Sequence, residues 1–180
     1  MNESRGSSVV RSTAGGRLRA LSPEILRIGI GVVWLLNLVF VLDPSNQFFG
    51  TFSSTALSFA PTSLGGPGVA DFVAAHALLF AWLIAIVTAY LAVALLVGFT
   101  TRFACLVGIL FSVVLLVTQV GSTFAIPNGT DVGPHPLYIL IYVVLVVGGA
   151  GRALSVDHWI WSTHRARLPR LARFVASPEH

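Results

Sequence analysis

The chain has 180 residues, of which 55% are hydrophobic and only 10% charged. That charge content is far below the roughly 25% of a soluble globular domain, and a single core of this size cannot hide so much apolar surface from water. All eleven basic residues are arginines, and the lone cysteine, Cys105, excludes a disulfide framework or a cysteine metal cluster.

The chain opens with a polar tract rich in Ser, Gly and Arg, and residues 1–22 are expected to form a disordered cytoplasmic tail. Ser22 and Pro23 then suit the N-cap and first position of a helix. A membrane span needs about 20 mostly apolar residues. Four runs meet that need: Glu24 to Leu42, Phe72 to Gly98, Arg102 to Val120, and Pro136 to about Leu154. The second is the longest and is expected to tilt or to project beyond the hydrocarbon.

Between the first two runs, Phe48, Phe49, Phe52, Leu57 and Phe59 predict a short interfacial helix, followed by a flexible Ser-Leu-Gly-Gly-Pro-Gly segment. After Asp157 the chain turns basic and amphipathic. Trp161, Leu168, Leu171 and Val175 share one face, which predicts a tail helix over residues 158–180 lying on anionic lipid, interrupted at Pro169.

Orientation follows from the arginines. Arg5, Arg11, Arg17, Arg19 and Arg27 precede or open the first run, and Arg102 lies between the second and third. Arg152, Arg165, Arg167, Arg170 and Arg173 end or follow the fourth, whereas the segments 43–71 and 121–135 carry none. Basic residues collect on the cytoplasmic side, so this segregation predicts both termini inside. It also explains the arginines without nucleic acid. The expected fold is therefore all-α: a four-helix transmembrane bundle over residues 23–157, N-in and C-in, in the plasma membrane.

Polar side chains in hydrocarbon are costly and often mark function. Helical spacing places His76 with Tyr90, Cys105 with Ser112 and Gln119, and His135 with Tyr138, Tyr142 and Gly149. In the expected topology Asn37, His76, Gln119, His135 and Tyr138 all fall in the outer half, beneath a loop that carries Asp131. These six are the candidate ligand residues. The same groups also serve as ordinary interhelical hydrogen-bonding partners or helix caps, a reading of about equal weight. No helical His-x-x-x-His pair is present, so no metal centre is expected. Nucleotide-binding and nucleophile-elbow motifs are absent, and Gly29 with Gly31, and Gly148, Gly149 and Gly151, are read as close-packing positions.

Three segments resemble the DoxX/DoxD family of small four-helix membrane proteins. Leu26-Arg27-Ile28-Gly29-Ile30-Gly31 is similar to that family's first-span opening. Leu95 to Ala104, with Gly98, Thr101 and Arg102, resembles its junction between spans two and three. Gly149-Ala150-Gly151-Arg152-Ala153-Leu154-Ser155-Val156-Asp157 resembles its ending of span four, and Thr130 to His135 is similar to the outer loop of the DoxD-like branch. The resemblance implies an integral membrane subunit of a quinone-linked redox system, of the kind found in a thiosulfate:quinone oxidoreductase, with quinone as ligand and a second redox subunit as partner. The alternative is a non-catalytic membrane scaffold that recruits a soluble redox or detoxification partner. Members often carry a glutamate where this chain has Thr88, so no proton-coupled mechanism and no catalytic residue is carried over. Arg102, Arg152 and Asp157 are expected to form a structural signature at the inner end of the bundle.

Overall fold

A computed structural model describes residues 6–61, 65–123, 135–150, 155–156 and 159, with side chains from residue 21 onward except those of 119–123. The described residues are helical, without strands. Six α-helices follow one another: α1 (Gly6–Leu42), α2 (Phe48–Ser58), α3 (Pro67–Ala75), α4 (Ala77–Val97), α5 (Thr101–Thr123) and α6 (His135–Gly148). Among the described residues three stretches are long and apolar enough to cross a membrane: Leu21–Leu42, Ala77–Val97 and Thr101–Thr118. Apolar side chains cover their outer faces, including Leu36, Leu79, Ile86 and Leu110, which suits a lipid surround. Helix α6 has 14 residues, roughly 21 Å at the α-helical rise, and is shorter than a span.

Three expectations about helix boundaries are corrected. Helix α1 runs back to Gly6 and contains Pro23 in its interior, so Ser22 and Pro23 do not begin it. Because proline lacks an N–H, it omits one ladder bond there. The second apolar run is divided. Backbone near φ −113°, ψ 31° at His76 separates α3 from α4, and the His76 N–H still donates to Phe72 and Val73 carbonyls at 3.2 Å. The Gly-Pro-Gly part of the connecting segment is not a loop throughout, because Pro67 takes the first turn of α3. The expected short helix after the first run is present as α2. The basic tail over 158–180, apart from Trp159, lies outside the described residues, as do Arg152 and Asp157.

Two helix ends show why glycine stands where it does. Gly98 ends α4 at φ +71°, with its N–H and that of Phe99 both donating to Ala94 O at 2.9 and 3.0 Å. Gly149 ends α6 at φ +66°, and Ala150 N–H donates to Leu145 O at 3.0 Å. Both are left-handed caps, which a residue with a Cβ adopts only at a cost.

The interior is built from small residues. Helix α4 buries Ala81, Ala85, Thr88, Ala92 and Leu95 along one stripe, and Gly31 of α1 packs closely on α4. A Cβ on Gly31 would stand 3.0 Å from the Leu96 nitrogen. In lipid there is little hydrophobic gain from joining helices, so close backbone contact between small residues supplies the cohesion. On α5, Thr101, Cys105, Gly108 and Ser112 form a matching buried stripe. The Tyr142 ring fills the space over Gly108, where any Cβ would run into it.

Candidate functional site

Two charged residues lie deep between α1 and α4. Glu24 and Arg27 are 1% and 0% exposed, and Arg27 Nε donates to Glu24 Oε2 at 2.8 Å across one helical turn. The other arm of the guanidinium, Nη1, donates to the carbonyl of Leu95 and, at 3.3 Å, to that of Leu96. Those carbonyls are among the last of α4 and have no helical donor of their own. A cation there also meets the negative end of the helix dipole. Opposite charge and backbone acceptors together satisfy Arg27, as burial of an ion requires. Gly98 completes the arrangement, since a Cβ there would lie 2.8 Å from the Arg27 guanidinium and 2.9 Å from Ser155 Cα. Arg102, in contrast, is half-exposed at the start of α5. Among the described residues the buried charge pair at this end of the bundle is Arg27 with Glu24. Reading Arg27 only as an orientation signal missed it, although an acid three residues before an arginine in an apolar run was visible.

Farther along α1, Trp34 is 4% exposed and its indole N–H donates to the hydroxyl of fully buried Tyr142. Trp34 also meets Phe111 on α5, ring centroids 5.6 Å apart, and Tyr138 on α6 at 5.9 Å. Tyr138 in turn meets His135 at 5.9 Å, and His135 is buried. The expected His135, Tyr138 and Tyr142 stripe thus faces the interior.

His76 and Asn37 stand apart from this group. His76 is exposed, with Nδ1 2.9 Å from the Phe72 carbonyl and its ring against Phe72. As the joint between α3 and α4 it cannot project from the face of a continuous span. The half-buried Asn37 donates to its own helix, Nδ2 to Val33 O at 3.0 Å. Asp131 and the Gln119 side chain lie outside the described residues. Of the six candidates, His135 and Tyr138 are brought together, joined by Trp34, Phe111 and Tyr142. Among the described residues no group of three or more His, Cys, Asp or Glu side chains is placed to hold a metal ion.

Phe111 also lines a cavity of about 300 Å³ between α2, α3, α4 and α5. Four phenylalanines, Phe52, Phe59, Phe80 and Phe111, line it with aliphatic side chains. This is about twice the ~150 Å³ that admits a benzene-sized ligand. Its hydroxyls, Thr55 and Thr118, both donate to their own helices: Thr55 to Thr51 O at 3.0 Å, and Thr118 to Val114 O at 3.0 Å and Leu115 O at 3.1 Å. Helix α2 forms one wall, and the Phe49 ring, beside the cavity residues, packs at a tilt against Trp82 of α4 with centroids 4.8 Å apart. Period alone could not show a cavity assembled from four helices.

Comparisons of the chain with protein-family models, with curated proteins and with solved structures gave no match.

Proposed function

We propose that this chain is a DoxX/DoxD-like integral membrane subunit of a quinone-linked redox system. The observation that carries the reading is the apolar cavity set beside aromatic residues with polar edges, Trp34, Tyr138 and His135. A lipid-soluble quinone combines a hydrocarbon chain with a flat ring whose oxygens accept hydrogen bonds, and ligand sites of that kind are mainly apolar with a few placed polar groups. In this reading the described residues would bind and orient the quinone and exclude water from it. The quinone supplies the electron-carrying chemistry, and a second redox subunit supplies the electrons.

The proposed topology has four crossings, with α6 and the residues after it as the fourth, and both termini on the cytoplasmic side of the plasma membrane. The placement of every arginine outside the segments 43–71 and 121–135 supports it.

The test is to purify the full chain in mild detergent and extract it for quinone analysis by mass spectrometry, alongside a membrane protein of similar size. Quinone retained in stoichiometric amount is the expected result. A protein that retains no more quinone than the control, but captures a soluble oxidoreductase, is a scaffold instead.

A further inference from the structure

Leu83 on α4 and Leu110 and Val114 on α5 line the cavity, and the same side chains are 50%, 67% and 49% exposed. The cavity is therefore not sealed inside the bundle. Both helices are among the stretches long and apolar enough to cross a membrane. At the α-helical rise, Leu83 lies about 9 Å along α4 from Ala77, and Leu110 about 14 Å along α5 from Thr101. These positions fall within the spans and not at their ends, so the opening faces hydrocarbon rather than water. Gly65, just before α3, donates its N–H to Val117 O on α5 at 3.2 Å, next to the cavity residue Thr118, and ties the start of α3 to α5 there.

Size and wall chemistry set what fits. About 300 Å³ is twice the ~150 Å³ that holds benzene, enough for one methylated ring and too little for a long isoprenoid tail besides. Phe52, Phe59, Phe80 and Phe111 offer such a ring aromatic faces and edges to pack against. The described lining residues carry no charge, and the hydroxyls of Thr55 and Thr118 donate to main-chain carbonyls. A carbonyl ligand taken from water would lose hydrogen bonds in this cavity without replacement. One dissolved in the bilayer core has none to lose, because the hydrocarbon around it holds no donors. The wall thus suits a ligand that arrives from lipid.

Resting on the quinone reading above, we infer that the cavity holds the quinone ring, which enters sideways from the bilayer past Leu83, Leu110 and Val114, while the isoprenoid tail stays outside in the lipid. Recognition inside the cavity is by shape and apolar contact rather than by hydrogen bonds.

The experiment measures retention of tritiated quinones by the full chain in lipid nanodiscs, over protein-free nanodiscs, with ligand expressed as its mole fraction in the lipid. The probes are tetramethylbenzoquinone and the same ring with one methyl replaced by a polyisoprenoid tail. Tetramethylbenzene, the same shape without oxygens, is the competitor. The two quinones should bind within threefold of each other, and tetramethylbenzene should displace both. Ala56→Phe on α2 fills the cavity and should weaken both quinones tenfold or more. Thr55→Phe, at an exposed position of the same wall, serves if the first variant does not fold. Leu110→Trp narrows the opening from the exposed face of α5. It should weaken the tailed quinone fivefold or more and leave the tail-less one within twofold.

Loss of the tailed quinone alone in Ala56→Phe would put the tail in the cavity, and tetramethylbenzene that displaces neither quinone would show recognition through the oxygens. Either result overturns the inference while leaving quinone binding intact. Unaltered affinity for both quinones in the cavity variants would place the ring elsewhere and overturn it as well. An unaltered tailed quinone in Leu110→Trp would overturn the sideways entry. Retention of neither quinone above the protein-free nanodiscs would remove the quinone reading itself, and this inference with it.

Discussion

Arg27 and Glu24 form a buried ion pair one helical turn apart on α1, and the same guanidinium caps the carbonyl end of α4. One side chain thus links two helices through the only part of a helix that leaves acceptors open. Removing Arg27 alone leaves a buried carboxylate without its cation. Arg27→Met should therefore destabilise the protein by about 3–5 kcal/mol, whereas Glu24→Leu/Arg27→Met should cost less than the two single changes added together. Reversible unfolding in mixed detergent micelles measures the cycle. Strict additivity would mean that the pair is not energetically coupled.

Gly98 serves both the turn and the space around Arg27. Its left-handed backbone and its contact with Ser155 and the guanidinium make Gly98→Ala destabilising by at least about 1–2 kcal/mol. Gly29 is the control. It is helical, and a Cβ added there would meet nothing within 4 Å, so Gly29→Ala should be neutral or stabilising by up to about 1 kcal/mol. Thermal unfolding of the two variants side by side decides this, and equal effects would refute the assigned role of Gly98.

The Trp34–Tyr142 hydrogen bond joins α1 to α6 inside the bundle. Tyr142→Phe leaves the buried indole N–H without its acceptor and should cost about 1–3 kcal/mol, and Trp34→Phe/Tyr142→Phe should cost less than the two single variants added together. Gly108→Ala should be as damaging, because the Tyr142 ring occupies the space of the added methyl. Chemical unfolding followed by near-ultraviolet circular dichroism reports both. A harmless Gly108→Ala would show that the ring has room to move.

Asp43 lies in the turn after α1, where its carboxylate accepts the Ser45 N–H at 2.9 Å and the Ser45 hydroxyl at 2.8 Å. These bonds favour the ionised form and hold the carboxyl below its ordinary 3.8. The contribution to the turn is complete above that ordinary value and is lost as pH falls through the lower folded one. Carboxyl-carbon NMR should find the depressed midpoint, and Ser45→Ala should return it toward 3.8. A midpoint that does not respond to Ser45→Ala would separate the turn from the titration.

The proposed topology has a direct chemical readout. Cys105 is 1% exposed and gives little background. In intact cells Ser54→Cys on α2 should react with a membrane-impermeant maleimide. Phe99→Cys, between α4 and α5, should react only after permeabilisation. Reversed labelling would invert the bundle, and labelling of both without permeabilisation would break the four-crossing topology.

Composition and apolar run length were enough to identify the long helices, because a bilayer admits few other structures for such segments. The arginine pattern likewise carries its topological signal in the sequence alone. Which side of each helix turns inward was not legible to the same degree. Lipid chains are as apolar as leucine, so Leu79 and Ile86 are at no disadvantage on the exposed face while the smaller Ala81 and Ala85 lie inside. His135, Tyr138 and Tyr142 were readable as a stripe because one helix carries them at helical spacing. His76 was misplaced because a change of backbone direction leaves no mark in an uninterrupted apolar run. The Trp34–Tyr142 bond, the Arg27 cap on α4 and the four-helix cavity join residues far apart in the chain. Only packing in three dimensions decides such pairings, since the period of one helix is silent about what its neighbour presents.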